Sequence, residues 1–340
     1  MRSKIQNSFH ELPATAHESL RDSLISHITQ ITNETNPIIV TQLCLALSDL
    51  VLLMSQWNNP ILNLIDKFSS SANTIWPLIL ILTLIPEEIN SRYLRLGANR
   101  REEIHKELEK NSRTVTEFLT ACLTSSNNSA FMQTNVIKCF TSWICIHAIS
   151  LNDLGDNIII GHSFNALNKN DIEAKLHDTA TDCLCTLLQS FESSNSNNLL
   201  EMQIFTSVVA LEDAYHMFVA HEDLDKAINY CRIFTVLGES YLDKILNYSE
   251  GATPHFAIKI LDLVLDCVGH YDYEVAEITF NLWYRLSEDL YHKNNDMITL
   301  HFKPHIERLI TALYRHSQME PDHEGLIEEG DSFSVIKFYF

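Results

Sequence analysis

Glu212, His216 and His221 come nearest to a metal-ligating set in this chain, and their spacing argues against one. Glu212 and His216, four apart, share a helical face. His221 follows His216 by five, which turns it about 140° away on a helix, so the i, i+4 histidine pair of helical zinc sites is missing. Zinc wants three or four convergent ligands, and only two converge. The eight cysteines, at 44, 122, 139, 145, 183, 185, 231 and 267, offer no substitute. Cys183 and Cys185 point about 200° apart on a helix, Cys139 and Cys145 are also out of phase, and no CxxC occurs. Scattered thiols in apolar stretches fit a reducing compartment. No Ser, Cys or Lys has a recognisable base and orienting group, so neither an active site nor a cofactor is expected.

Glycine supports that exclusion. The chain has 8 Gly in 340 residues, far below the usual ~7%. Phosphate-cradling loops and nucleophile elbows consume glycine because it alone tolerates their backbone geometry. No GxGxxG, GxxxxGK[ST] or GxSxG string is present. With 24 Lys plus Arg against 44 Asp plus Glu, the formal net charge is −20. Such a chain repels nucleic acid and anionic lipid and attracts basic partners. Two local charge features qualify this. Arg92, Arg95, Arg100 and Arg101 form a basic island, expected to neutralise helix ends and pair with Glu102 and Glu103. The alternative is a fork of guanidiniums meeting an acidic or phosphorylated partner. Asp322, Glu324, Glu328, Glu329 and Asp331 form the acidic counterpart, by default a solvated loop and otherwise a contact for a basic partner surface.

The elements that must position these groups are helices. Ala227, Cys231, Phe234, Leu237, Tyr241, Leu242 and Ile245 fall three or four apart, predicting a helix over Ala227–Leu246. The same spacing predicts helices across Phe256–Val268, Val275–Leu290 and Met297–His316, the last leaving Leu309 and Leu313 uncovered. Upstream, helices are expected over Thr15–Thr32, Ile38–Trp57 behind Pro37, Pro60–Phe68, Thr74–Asn90, Asn99–Glu109, Thr114–Leu123, Ala130–Ser150 and Asp171–Glu192. Nothing helical is assigned between Leu151 and Asn170. The apolar run Ile75–Ile85 is too short to span a bilayer, and Ile38–Met54 carries Gln42, Ser48 and Asp49, so both read as core. Met1-Arg2-Ser3-Lys4 opens into polar sequence, so no secretory leader is expected. Helix pairs recurring at roughly 40 to 47 residues predict an all-α fold, an α-solenoid of HEAT-type antiparallel helix pairs. One continuous core is expected over 1–331, with 332–340 an unrelated apolar tail of the kind a truncated chain would carry. Trp57, Trp76, Trp143 and Trp283 are expected on apolar helix faces in the core.

Specific strings go beyond amphipathicity. Glu212-Asp213-Ala214-Tyr215-His216-Met217, Asn229-Tyr230-Cys231-Arg232-Ile233-Phe234, Asn281-Leu282-Trp283-Tyr284-Arg285-Leu286, Glu320-Pro321-Asp322-His323-Glu324-Gly325 and Gly97-Ala98-Asn99-Arg100-Arg101 resemble the importin-β family of nuclear import receptors. The resemblance implies a receptor that carries Ser/Arg-rich proteins such as splicing factors, releases them on meeting Ran-GTP, binds Phe-Gly repeats of nucleoporins between outer helices, and shuttles between cytoplasm and nucleus. It implies neither direct nucleic-acid binding nor membrane insertion. It also makes Lys4–Leu12 the tail of an earlier helix, and places the helix that grips phosphorylated cargo in repeats after Asp331. Arg95, Arg100, Arg101 and the five acids are then the candidate partner contacts. The competing reading of the same fold is a generic HEAT scaffold for complex assembly.

Overall fold

In the computed structural model, residues 2–32, 34–125, 129–155, 157–191, 198–247 and 256–318 are described, and no strand occurs among them. The chain divides into two compact units, Met1–Tyr241 and Leu242–Phe340. The first holds α1 (Arg2–Ser8), α2 (Ala14–Thr29), α3 (Pro37–Leu53), α4 (Pro60–Phe68), α5 (Ala72–Glu88), α6 (Ala98–Ser125), α7 (Ala130–Cys145), α8 (Ile158–Leu167), α9 (Ala174–Ser190), α10 (Asn198–Val209), α11 (Glu212–Ala220) and α12 (Leu224–Ser240). The second holds α13 (Leu242–Leu246), α14 (Ile260–Val268), α15 (Tyr273–Glu277), α16 (Phe280–Lys293) and α17 (Asp296–His316). The fold is all-α, a solenoid of the HEAT type. No described helix is long and apolar enough to cross a membrane.

Capping explains many starts. Pro37 opens α3 behind Asn36, whose side chain accepts from the Ile38 N–H. Asp223 does this for α12 through the Lys226 N–H, and Asn295 for α17 through Met297 and Ile298. In the first unit α3, α5, α7, α9 and α12 pack successively on one another as a spine, while α2, α4, α6, α8 and α11 flank them. A helix covered on two sides must be apolar nearly all round. Accordingly Leu78, Ile79, Ile81, Leu82, Leu84 and Ile85 of α5 are all buried. The spine helices begin at Pro37, Ala72, Ala130, Ala174 and Leu224, so the repeat is uneven and not the regular period expected.

Polar rungs cross the spine. The Ser48 hydroxyl of α3 donates to the Ile81 carbonyl of α5 at 3.5 Å, and the Cys44 thiol to the Pro77 carbonyl at 3.7 Å. The separation in sequence is the same in both, so the two helices run parallel. Pro86 lacks an N–H and leaves the Leu82 carbonyl without its helical donor. The Trp143 indole N–H of α7, wholly buried, reaches that carbonyl at 2.9 Å. Arg2 of α1 bridges Asp49 of α3 at 2.8 Å and Glu88 of α5 at 2.7 Å. Asp49 is fully buried, and burial pushes its carboxyl above the ordinary range while Arg2 pulls the other way.

At the α9–α12 step, Asn229 donates to Asp178 at 2.7 Å, its amide nitrogen lies 3.1 Å from His177 Nδ1, and Arg232 donates to Asp182 at 2.6 Å. The Tyr230 hydroxyl donates to the Leu167 carbonyl of α8. His177 is enclosed by Phe218 and Tyr230 in edge-on contact, and burial lowers its pKa to about 4, with Lys226 adding to this and Asp178 and Asp223 opposing it.

Several expected boundaries shift. Asn99–Glu109 and Thr114–Leu123 are one helix, α6, because the polar stretch between them holds no Gly or Pro and Asn111 continues the buried stripe of Ile104, Leu108, Val115 and Leu119. The Asn111 amide donates to the Glu107 carbonyl and carboxylate. The helix expected over Ala227–Leu246 breaks at Tyr241, and that over Val275–Leu290 breaks near Ile278 and Thr279. Helix α7 stops short of Ser150 because His147 takes a left-handed conformation, φ 57°. Helix α8 occupies a stretch to which the sequence pattern assigns no helix. Leu309 is buried, not uncovered, and the exposed large apolar groups of α17 are Met297, Leu300, Ile310 and Tyr314. Trp57 lies in the turn after α3, and Trp76 is only half-buried.

Replacing Trp143 by Phe keeps a ring but removes the donor to the Leu82 carbonyl. Such a loss costs about 1–3 kcal/mol, visible as a lower urea midpoint; an unchanged midpoint would mean that the carbonyl does not need the indole. His177 makes a pH prediction. Its folded pKa lies below the ordinary 6.5, so between 6.5 and about 4 the unfolded chain binds the extra proton. The stability it contributes is full above that window and is lost as pH falls through it. His177→Phe should flatten the stability–pH slope there, and parallel slopes for the two proteins would contradict the assignment.

Candidate functional site

The basic island spans the connection after α5, which holds Arg92 and Arg95, and the first turn of α6, which holds Arg100 and Arg101. Arg100, in the first turn of α6, spends its guanidinium on the end of α3: Nε donates to the Leu52 carbonyl at 3.0 Å, and Nη2 to Val51 at 3.2 Å and Met54 at 3.4 Å. Its Nη1 donates to Glu103 at 3.1 Å. The Val51 and Leu52 carbonyls end the helix and have no donor within it, whereas the Met54 carbonyl just beyond also accepts from the Trp57 N–H; a cation there also answers the negative end of the helix dipole. The capping expectation therefore holds for Arg100, across 48 residues of sequence. It does not hold for the rest of the island. Glu102 pairs with Lys106 at 2.7 Å, not with an arginine. Arg92 and Arg95 are exposed, and neither they nor the Arg101 side chain has a hydrogen-bond or ion-pair partner among the described residues. Arg101 Nε is enclosed with no acceptor.

Asp322, Glu324, Glu328, Glu329 and Asp331 lie outside the described residues, as does the tail 332–340. His216 Nε2 sits 3.9 Å from Glu212. His221 turns away to donate to the Met217 carbonyl at 2.7 Å, capping α11. Its ring serves the helix end. Every cysteine but Cys145 is buried, and burial pushes the Cys44, Cys139 and Cys185 thiols up to about 12. Those sulfurs stay protonated at neutral pH and are poor nucleophiles.

An aromatic pair is the feature periodicity could not single out. Trp76 near the start of α5 and Phe131 near the start of α7 have ring centroids 5.7 Å apart. Phe131 is 52% exposed and Trp76 half-buried, whereas Trp57, Trp143 and Trp283 are buried. Adjacent spine helices thus present two rings toward solvent at one end.

Residues 36–184 match the family described as exportin 1-like protein, and residues 222–316 match the transportin-3/importin-13 second TPR domain. Importin-13 of Gallus gallus is 24% identical over 95% of this chain and 34% of its own length. The mRNA transport regulator MTR10 of Saccharomyces cerevisiae is 23% identical over 94% of this chain and 33% of its own. These likenesses support the importin-β family. Transportin MOS14 of Arabidopsis thaliana is 25% identical over 84% of this chain and 29% of its own length. The chain thus spans about a third of the length of the curated importin-β-family relatives it matches. The solved structure of importin-13 in its cytosolic state superposes with a TM-score of 0.72 at 16% identity, covering 96% of this chain and 40% of that one. The named relatives are importins, transportins and transport regulators and not enzymes, as the sequence reading expected.

The island yields a contrast of variants. Arg100→Gln should lower the melting temperature, since hydrogen bonds from a charged donor are worth about 1.5–3 kcal/mol. Arg95→Gln should leave it unchanged. Equal effects in a thermal melt would show that Arg100 does not cap α3.

Proposed function

We infer that this chain is a segment of a nuclear transport receptor of the transportin-3/importin-13 type, carrying Ser/Arg-rich protein cargo under Ran-GTP control and shuttling between cytoplasm and nucleus. The observation that supports this most is likeness to Importin-13 along 95% of the chain, a continuity that a helix stripe alone would not produce. The Trp76–Phe131 pair, with Phe131 exposed and Trp76 half-buried, supports contact with Phe-Gly repeats of nucleoporins, because an aromatic side chain stacks well on another at such a spacing. The net charge of −20 suits basic Ser/Arg-rich cargo and disfavours nucleic acid. A generic scaffold would share the fold, but the relatives named above carry transport names.

The test is a pulldown with this chain from nuclear extract, with and without Ran locked to GTP. Recovery of Ser/Arg-rich proteins that Ran-GTP abolishes is the expected outcome, and it should be weak because the resemblance places the helix that grips phosphorylated cargo after Asp331. Recovery of a phosphatase core or another fixed assembly, indifferent to Ran-GTP, would overturn the reading in favour of a scaffold.

A further inference from the structure

The four arginines of the basic island separate into two kinds. Arg100 is committed to the carbonyls of Val51, Leu52 and Met54 and to Glu103. Arg92, Arg95 and Arg101 are committed to nothing among the described residues. In a chain with 44 acids against 24 basic residues, a surface arginine ordinarily finds an acid, as Arg21, Arg113, Arg232 and Arg308 do. Three unpaired guanidiniums within ten residues are therefore a local positive field left open. Tyr93, 69% exposed, sits between two of them in sequence and adds a flat apolar face.

We propose that Arg92, Arg95 and Arg101, with Tyr93, form a docking surface for a carboxylate-rich peptide segment of a partner protein. Guanidinium presents paired N–H donors that match a carboxylate in bidentate fashion, which a lysine cannot do. The Nε of Arg101 is enclosed and meets no acceptor, so this guanidinium keeps unmet donor capacity that a carboxylate oxygen could use. A long polyanion would meet the repulsive field of the acidic chain beyond the island, which favours a short acidic segment over a nucleic acid.

The test is fluorescence anisotropy of a labelled oligoglutamate peptide against the full chain at low and physiological salt. Arg92→Gln/Arg95→Gln/Arg101→Gln should weaken binding roughly tenfold, three rim charges each contributing a fraction of a decade or more, with an unchanged melting temperature. The double variant R92Q/R95Q, both positions exposed, should give a smaller loss and guards against misfolding of the triple. Neutralising Lys67, Lys169 and Lys175, three exposed lysines elsewhere, should leave affinity intact. Equal binding by the triple variant, an equal loss in the lysine control, or tighter binding of an RNA oligonucleotide of the same charge would each overturn the proposal.

Discussion

The first unit depends on one constraint: every spine helix is buried on two sides, so each polar group along it must be satisfied by a neighbouring helix. Apolar coverage supplies most of the driving force, since Leu47, Leu50, Ile81, Leu82, Phe140, Leu184 and Phe234 are excluded from water. Coverage is non-directional, however, and would let the helices slide. The rungs remove that freedom. Trp143 on the Leu82 carbonyl, Ser48 on the Ile81 carbonyl and Asn229 on Asp178 each join residues distant in sequence. A register shift of one turn would leave these groups buried and unpaired, at a cost comparable to a sizeable part of a domain's net stability.

That constraint explains what was legible in the sequence. Pro60–Phe68 was readable to the residue because proline opens it and its stripe of Ile61, Leu64 and Phe68 is complete. Helices α3 and α5 were legible as core because their apolar runs are long and broken by few polar groups, of which Ser48 and Asp49 form rungs. Helix α8 was not legible: Ile158-Ile159-Ile160-Gly161 shows no period and includes a poor helix former. The joining of two expected helices into α6 turned on Asn111, a polar residue on the buried stripe whose amide is satisfied inside its own helix. Local patterning cannot show that.

The surface was less legible still. Arg100 caps a helix 48 residues away, and nothing in its neighbourhood marks it as different from Arg95. Trp76 carries the same apolar surroundings as Trp143, yet one ring reaches solvent and the other donates into the spine. The separation is made by which helix lands beside which. For a protein whose work is binding, the pattern in the chain specifies the stack, and the stack then decides which side chains remain available to partners.

Hydrogen exchange of the full chain, followed peptide by peptide by mass spectrometry, tests the spine most directly. The account predicts that α3, α5, α7, α9 and α12 exchange slowest and open together, with the flanking α4 and α6 opening earlier at lower free energy. Slow exchange spread evenly over flanking and spine helices, or independent opening of each spine helix, would contradict it.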